Sequence, residues 1–272
     1  MNILGDCYHG LHQIDRMKYR SSLIITLLLT NLFLGFTASA HDTRVFEKRT
    51  YFANEGKLDD LLARFRDNTC ALFAKHGIEN IGYWVPKENE DNTLVYIIAY
   101  PSRLDQEVMW RAFLDDPIWK AAYKASTANG KLVKKVDRIF MNAAEYSMPI
   151  KKIQSDPTRL FELRTYTANE GKLNHLDARF SDHTIGLFAK HGIENIGYFH
   201  PMTDQDGATN TLIYILAHKS EDSRKAGFDG FRQDENWQVA RAASEERAGG
   251  GLTIKGGVKS QFLFPADFSP MR

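Results

Sequence analysis

Polar and apolar side chains alternate from Val45 to Tyr51 in a run rich in strand formers, the pattern of a β-strand. Asn54-Glu55-Gly56 then marks a turn. From Lys57 to His76 the apolar residues Leu58, Leu61, Leu62, Phe65, Leu72 and Phe73 recur at three- and four-residue spacing, with Gly77 as a C-terminal cap. That spacing predicts an amphipathic helix lying on a sheet. Ile78 to Val85, ended by Pro86, and Thr93 to Tyr100 read as a second and third strand joined by a polar hairpin loop, Glu88 to Asn92. Leu104 to Leu114 and a segment opened by Asp116-Pro117 read as two helices, with Asp116 as N-cap and Pro117 at the first helical position. A last strand is expected from about Arg138 to Tyr146. The order β-α-β-β-α-β is the ferredoxin-like unit, a four-stranded antiparallel sheet with helices on one face.

The pattern then starts again. Phe46 to Pro86 aligns without gaps onto Phe161 to Pro201, with 30 of 41 positions identical, so the chain is a duplication. After an insertion around Asp204 to Gly207, Tyr96 matches Tyr214, Asp116 matches Asp234 and Trp119 matches Trp237; further on, Phe140 matches Phe262. The domains expected are 44–148 and 159–272, joined by a linker at 149–158 whose Lys, Ser, Asp and Pro content suits a turn. Each unit leaves one sheet face bare, and two such faces can pack on each other. The fold class expected is therefore α+β: two tandem ferredoxin-like domains pairing as an intramolecular dimeric α/β barrel.

The first forty residues stand apart. Lys18 and Arg20 precede an apolar run from Leu23 to Phe36, and Ala38-Ser39-Ala40 precedes His41. This is the layout of a secretory signal cleaved after Ala40, with Met17 as the expected start and a periplasmic or extracellular destination. The run is short for a bilayer span and holds Thr30 and Asn31, so no stable membrane span is expected after cleavage. Lys plus Arg (35) nearly balance Asp plus Glu (34), which gives no overall field to draw nucleic acid. After cleavage one thiol remains, Cys70, on the apolar side of a helix, where a small buried side chain is the plainer reading than a nucleophile.

Candidate chemistry comes from matched residues. In the first strands, alternation puts Glu47, Arg49 and Tyr51, and likewise Glu162, Arg164 and Tyr166, on one face. Phe161 and Leu163 are taken to face the helices, which would turn the charged pair and phenol toward a cavity between the two sheets. A guanidinium fork with a phenol can receive an anion or a carbonyl, and Tyr83, Tyr96, Tyr198 and Tyr214 extend the lining. A structural ion pair fixing domain packing is the competing reading. His76 and His191 close the long helices, where a histidine caps free carbonyls; they are the candidate acid or base residues if the fold brings them to the cavity. Trp119 and Trp237 read as core anchors at helix starts. Hydrolase, zincin, dinucleotide and P-loop motifs are missing from the sequence, so no metal ligands are assigned and no cofactor is expected.

The run Phe161 to Thr167 with Gly171-Lys172-Leu173, His191-Gly192-Ile193 and Gly197-Tyr198, repeated in Glu47, Arg49, Tyr51, Gly56, Lys57, His76, Gly77, Gly82 and Tyr83, resembles the NIPSNAP domain, as does Asp115 to Trp119. The resemblance covers nearly the whole chain after residue 40, in two copies, and implies the dimeric α/β barrel. It leaves activity open, because related barrels include cofactor-free monooxygenases, isomerases and haem-handling enzymes. Three classes follow. A small organic molecule is bound or transformed between the sheets; or the chain is a non-catalytic scaffold with a filled inter-sheet space and an exposed apolar helix patch; or it binds haem through an accessible histidine. The partners expected are a small-molecule ligand and further copies of the chain.

Overall fold

The structure is a computed structural model that describes residues 41–151, 153–154 and 159–272. The expected signal segment, residues 1–40, lies outside the described residues. The first repeat runs β1 (Val45–Ala53), α1 (Leu58–Arg64), a π-helical segment (Phe65–Thr69), α2 (Cys70–Lys75), β2 (Glu79–Pro86), β3 (Thr93–Tyr100), α3 (Arg103–Asp115), α4 (Pro117–Ser126) and β4 (Val133–Ala143). The second follows the same order: β5 (Leu160–Ala168), α5 (Leu173–Arg179), a π-helical segment (Phe180–Thr184), α6 (Ile185–Lys190), β6 (Glu194–Pro201), β7 (Thr211–His218), α7 (Glu221–Gln233), α8 (Glu235–Arg247) and β8 (Thr253–Pro265).

The eight strands close into one antiparallel barrel in the order β1-β3-β2-β8-β5-β7-β6-β4. The last strand of each repeat closes it. β4 lies along β1 and then pairs with β6, Met141 opposite Pro201, while β8 lies along β5 and pairs with β2, Phe264 opposite Val85. Closure leaves no sheet edge to template association, and His41–Arg272 forms one compact unit.

Apolar residues of both repeats fill the barrel, among them Phe46, Trp84, Ile97, Phe161, Leu163, Phe199 and Ile215. Two ring contacts related by the duplication cross its centre: Phe46 on Phe199 at 5.0 Å and Trp84 on Phe161 at 5.6 Å. Gly82 permits this, because a Cβ there would stand 2.3 Å from the Trp84 ring that folds back over it.

Two sequence expectations change. The long helix is not continuous: a five-residue π-helical turn interrupts it in each repeat, and Thr69 Oγ1 donates to the Arg64 carbonyl at 3.1 Å as Thr184 does to Arg179 at 3.0 Å. The last strand begins at Val133, earlier than Arg138, and ends at Ala143. Tyr146 instead packs on Tyr198 of the other repeat, as Phe268 packs on Tyr83. Within the described part of the expected linker, Ile150 is buried in the barrel core and Ile153 packs against it.

Candidate functional site

Residues Leu94, Tyr96, Ile98 and Tyr100 of β3 pack against Leu61, Phe65, Phe73 and Phe113 of the covering helices. β1 pairs with β3 so that Glu47 stands opposite Ile98, Arg49 opposite Tyr96 and Tyr51 opposite Leu94. Direct cross-strand partners share a face, so Glu47, Arg49 and Tyr51 point under the helices, and Glu162, Arg164 and Tyr166 do the same in the second repeat. The expected cavity between the sheets is therefore replaced by packed side chains, and the polar residues are in a different layer. The expectation failed because it took the apolar face of the first strand for the helix-facing one. In a closed barrel both faces of a strand are buried, and here the more apolar one, Phe46 or Leu163, lines the interior.

Two polar clusters result, one per repeat. In the first, Glu47 has no exposed surface and accepts from Arg49 Nη1 at 2.6 Å and from the Tyr100 hydroxyl at 2.8 Å. Arg49 also reaches the Tyr51 hydroxyl at 3.3 Å, and its guanidinium carbon lies 4.3 Å from the centre of the Trp110 ring. In the second, Glu162 accepts from Arg164 Nη1 at 2.5 Å, from Arg224 Nε at 2.9 Å, from Ser260 Oγ at 2.5 Å and pairs with His218 at 3.2 Å. Burial pushes this carboxyl up, but the bonds from His218 and Arg224 and the charge of Arg164 outweigh it and hold Glu162 well below the usual carboxylate range.

The clusters differ at one equivalent pair. Arg164 Nε donates to the Tyr214 hydroxyl at 2.8 Å. In the first repeat, Arg49 Nε and the Tyr96 hydroxyl are both buried and neither meets a partner in full hydrogen-bond geometry among the described residues, although the Tyr51 side chain acts on the Tyr96 phenol. Burial raises the Tyr96 phenol well above its ordinary value, so it is protonated and offers a proton. Two unpaired donors on adjacent strands are what an acceptor oxygen would satisfy.

Tyr83 and Tyr198 support this layer from below. They stack on Tyr96 and Tyr214 at 5.3 and 5.2 Å, and their hydroxyls are turned to Asn80 and Asn195. His76 and His191 are elsewhere. His76 Nε2 meets Asp116 at 2.8 Å beside Lys75 at 2.7 Å, and His191 meets Asp234 at 2.7 Å beside Lys190 at 2.6 Å. Asp116 and Asp234 are also the N-caps of α4 and α8, accepting from Ile118 N and Asn236 N at 2.8 and 2.9 Å. The lysine bonds, then the histidine bonds, hold both aspartates well below their ordinary pKa. These histidines tie the end of one helix to the start of another and do not reach the clusters. Haem ligation fits them poorly, because Nε2 of each is taken by an aspartate. Among the described residues no group of three or more potential ligands could hold a metal ion, and no helix is long and apolar enough to cross a membrane. Cys70 is free and half-buried, its thiol pushed up to about 12 by burial.

Sequence reasoning passed over Tyr100, Trp110, Arg224, His218 and Ser260. The repeat alignment carried a signal for some of them. Extending the register that matches Tyr96 to Tyr214 sets Tyr100 against His218 and Gln106 against Arg224, polar changes in step with the strand and helix that cover the charged pair.

The family profile described as NIPSNAP matches residues 46–148 and again 161–270. The chain belongs to the NIPSNAP family. The protein named "Protein NipSnap homolog" from Dictyostelium discoideum is 23% identical over 192 residues, 69% of this chain and 75% of that protein. Two solved structures share the fold of both NIPSNAP repeats together. A Fusobacterium nucleatum protein named "Putative monooxygenase" superimposes with a TM-score of 0.56 at 10% identity, over 83% of this chain and 93% of its own. A protein of the same description from Lactobacillus acidophilus gives 0.55 at 9% identity, over 83% and 95%. Identities this low speak for the fold alone.

Proposed function

We propose that this NIPSNAP protein binds a small organic molecule in the layer between sheet and helices of its first repeat, with Arg49 Nε and the Tyr96 hydroxyl as donors to an oxygen of the ligand. The observation that carries the reading is the unpaired state of these two atoms beside the bonded pair Arg164 and Tyr214. A buried donor without an acceptor costs about 1–3 kcal/mol, and one repeat avoids that cost with the same residue types. A groove of about 640 Å³ opens on the same helix layer, lined by α1, the π-helical segment and α4, within the size range of small-molecule sites. Glu47 holds Arg49 in place, and Tyr51 and Trp110 flank its guanidinium. Native mass spectrometry of the protein taken from its own cell compartment tests this. A stoichiometric bound mass is expected that is lost in Arg49→Lys and Tyr96→Phe and kept in Tyr214→Phe; the same mass in all four proteins would sink the assignment.

The scaffold alternative has a specific observation in its favour. Leu104, Val108 and Ile118 on the outer helices are 73%, 64% and 56% exposed, where the second repeat has Asp222, Ala226 and Asn236. On that reading Leu104→Asp with Val108→Asp abolishes association with a partner and leaves small-molecule binding intact.

Export is part of the same proposal. Lys18, Arg20, the apolar run and Ala38-Ser39-Ala40 support cleavage after Ala40. Peptide mapping of the natural product should find an N-terminus at His41, and a retained segment upstream would reject it.

A further inference from the structure

Arg64 ends α1 just before the π-helical turn of the first repeat. Only 6% of it is exposed, and its guanidinium carbon lies 5.4 Å from the ring centre of Trp119 and 5.5 Å from that of Tyr123. The one hydrogen bond of its guanidinium among the described residues is a long one, Nη1 to Ser126 Oγ at 3.4 Å, and Nε has none, as in Arg179. Burial pushes this guanidinium below its ordinary value, with only partial compensation from Tyr51, Tyr123 and Tyr96. Yet an arginine side chain stays charged in proteins. A buried charge without a counter-ion is costly.

The second repeat supplies the counter-ion. Arg179, the equivalent residue, lies 5.3 Å from the Trp237 ring centre and pairs with Glu245 at 3.7 Å. In the register that matches Trp119 to Trp237, the first repeat has Thr127 where the second has Glu245. Thr127 turns its hydroxyl back to the Tyr123 carbonyl at 2.7 Å. The duplication thus keeps the buried cation twice and its carboxylate once.

Arg64 also borders an open groove, one that Thr127 does not line. Arg64 lines the groove of about 640 Å³ together with Ala63, Ala121, Ala122, Ala125 and Ile118, small side chains that leave room for an apolar body. Asp60 and Asp67 also line it; both are exposed, and Asp60 is engaged by Lys57 at 3.0 Å. Tyr51 and Tyr96 lie near enough to both Arg64 and Arg49 to act electrostatically on each, so the groove is close to the candidate site. A π-turn beside the groove is a local device often found at functional sites.

We propose that the ligand is an organic carboxylate, received through this groove with its anionic end on Arg64, as the counter-ion that Glu245 is for Arg179 in the second repeat. The inference rests on the binding reading given above and adds the ligand's charge and the side from which it comes. A planar carboxylate matches the guanidinium fork, and an apolar or aromatic body suits the alanine-lined walls.

The test compares benzoate and hexanoate with benzamide and hexanamide on the full chain, by calorimetric titration and thermal shift. The amides keep the acceptor oxygen that Arg49 and Tyr96 would bind and lack the charge. The carboxylates are expected to bind at least about tenfold more tightly than their amides. Arg64→Gln should remove that advantage and leave amide binding in place. Thr127→Glu, which imports the counter-ion of the second repeat, should also remove it while raising the melting temperature of the free protein, so a folding defect in Arg64→Gln does not decide the matter. A carboxylate advantage that survives in either variant overturns the inference, as does its absence in the unmodified protein. Amide binding lost in Tyr96→Phe but not in Arg64→Gln keeps the binding reading when this one fails; no binding of either kind overturns both.

Discussion

The two repeats share the charged pair, the tyrosines and the histidine clamp, yet they differ in how their buried carboxylate and arginines are paired. In the second, Glu162 takes four donors, Arg164 Nε has Tyr214 and Arg179 has Glu245. In the first, Glu47 takes two and Arg49 Nε and the Tyr96 hydroxyl are unpaired, whereas Nε is unpaired in Arg64 and Arg179 alike. The comparison separates what the fold needs from what it leaves open. A buried carboxylate under the helices can be a structural device, as the second repeat shows; the first keeps the device and gives up part of its satisfaction.

The largest expected contrast is at the carboxylates. Glu162→Gln leaves the largely buried Arg164 and the partly exposed Arg224 without their anion and should destabilise the protein by about 3–5 kcal/mol. Glu47→Gln, with one cation and one phenol to lose, should cost about 2 kcal/mol in the same denaturant titration. The pH dependence has a definite sign. Because folding lowers the Glu162 carboxyl, its contribution is present above the unfolded value of about 4.3 and is lost as pH falls through and below it. Unfolding free energy should therefore drop between about pH 5 and 3, and drop less steeply in Glu162→Gln; equal slopes would remove this carboxylate from the acid response.

A smaller contrast is expected at the tyrosines. Tyr214→Phe takes the acceptor from Arg164 Nε and should cost about 1–3 kcal/mol, whereas Tyr96→Phe removes a hydroxyl without a partner and should be neutral or slightly stabilising in the ligand-free protein. Equal losses at both positions would mean that Tyr96 is bonded after all. The smallest contrast is none. Asp116→Ala and Asp234→Ala each remove an N-cap and a histidine clamp of the same geometry, so each should cost about 1–2 kcal/mol and by the same amount. A difference larger than about 0.5 kcal/mol between them would break the assumed equivalence of the repeats.

Much of the architecture was legible in the sequence. The duplication stands out in identities, and Asp116-Pro117 and His76-Gly77 mark helix ends that the structure reproduces, with Asp116 capping α4 and Gly77 at a φ of 79°. The barrel followed from two bare sheet faces needing cover. The orientation of the first strand did not, because alternation says which residues share a face and not which buried face is which. Phe46 and Leu163 would suit a helix layer as well as a barrel interior. The π-helical turns were hidden for another reason: one extra residue per turn blurs the three- and four-residue spacing, and Thr69 and Thr184 do not stand out as buried positions. Arg64 and Arg179 read as surface charges on an amphipathic helix, and only their burial gives them a role.

The central claim is that the first repeat is built to be completed by a ligand, and a crystal structure of the protein purified from its native compartment tests it most directly. The account predicts density larger than a water between Arg49 Nε and the Tyr96 hydroxyl, reaching toward Arg64, with the equivalent space in the second repeat closed by Arg164, Tyr214 and Glu245. Arg49 Nε bonded directly to Tyr96, or bridged to it by a single water, would contradict it.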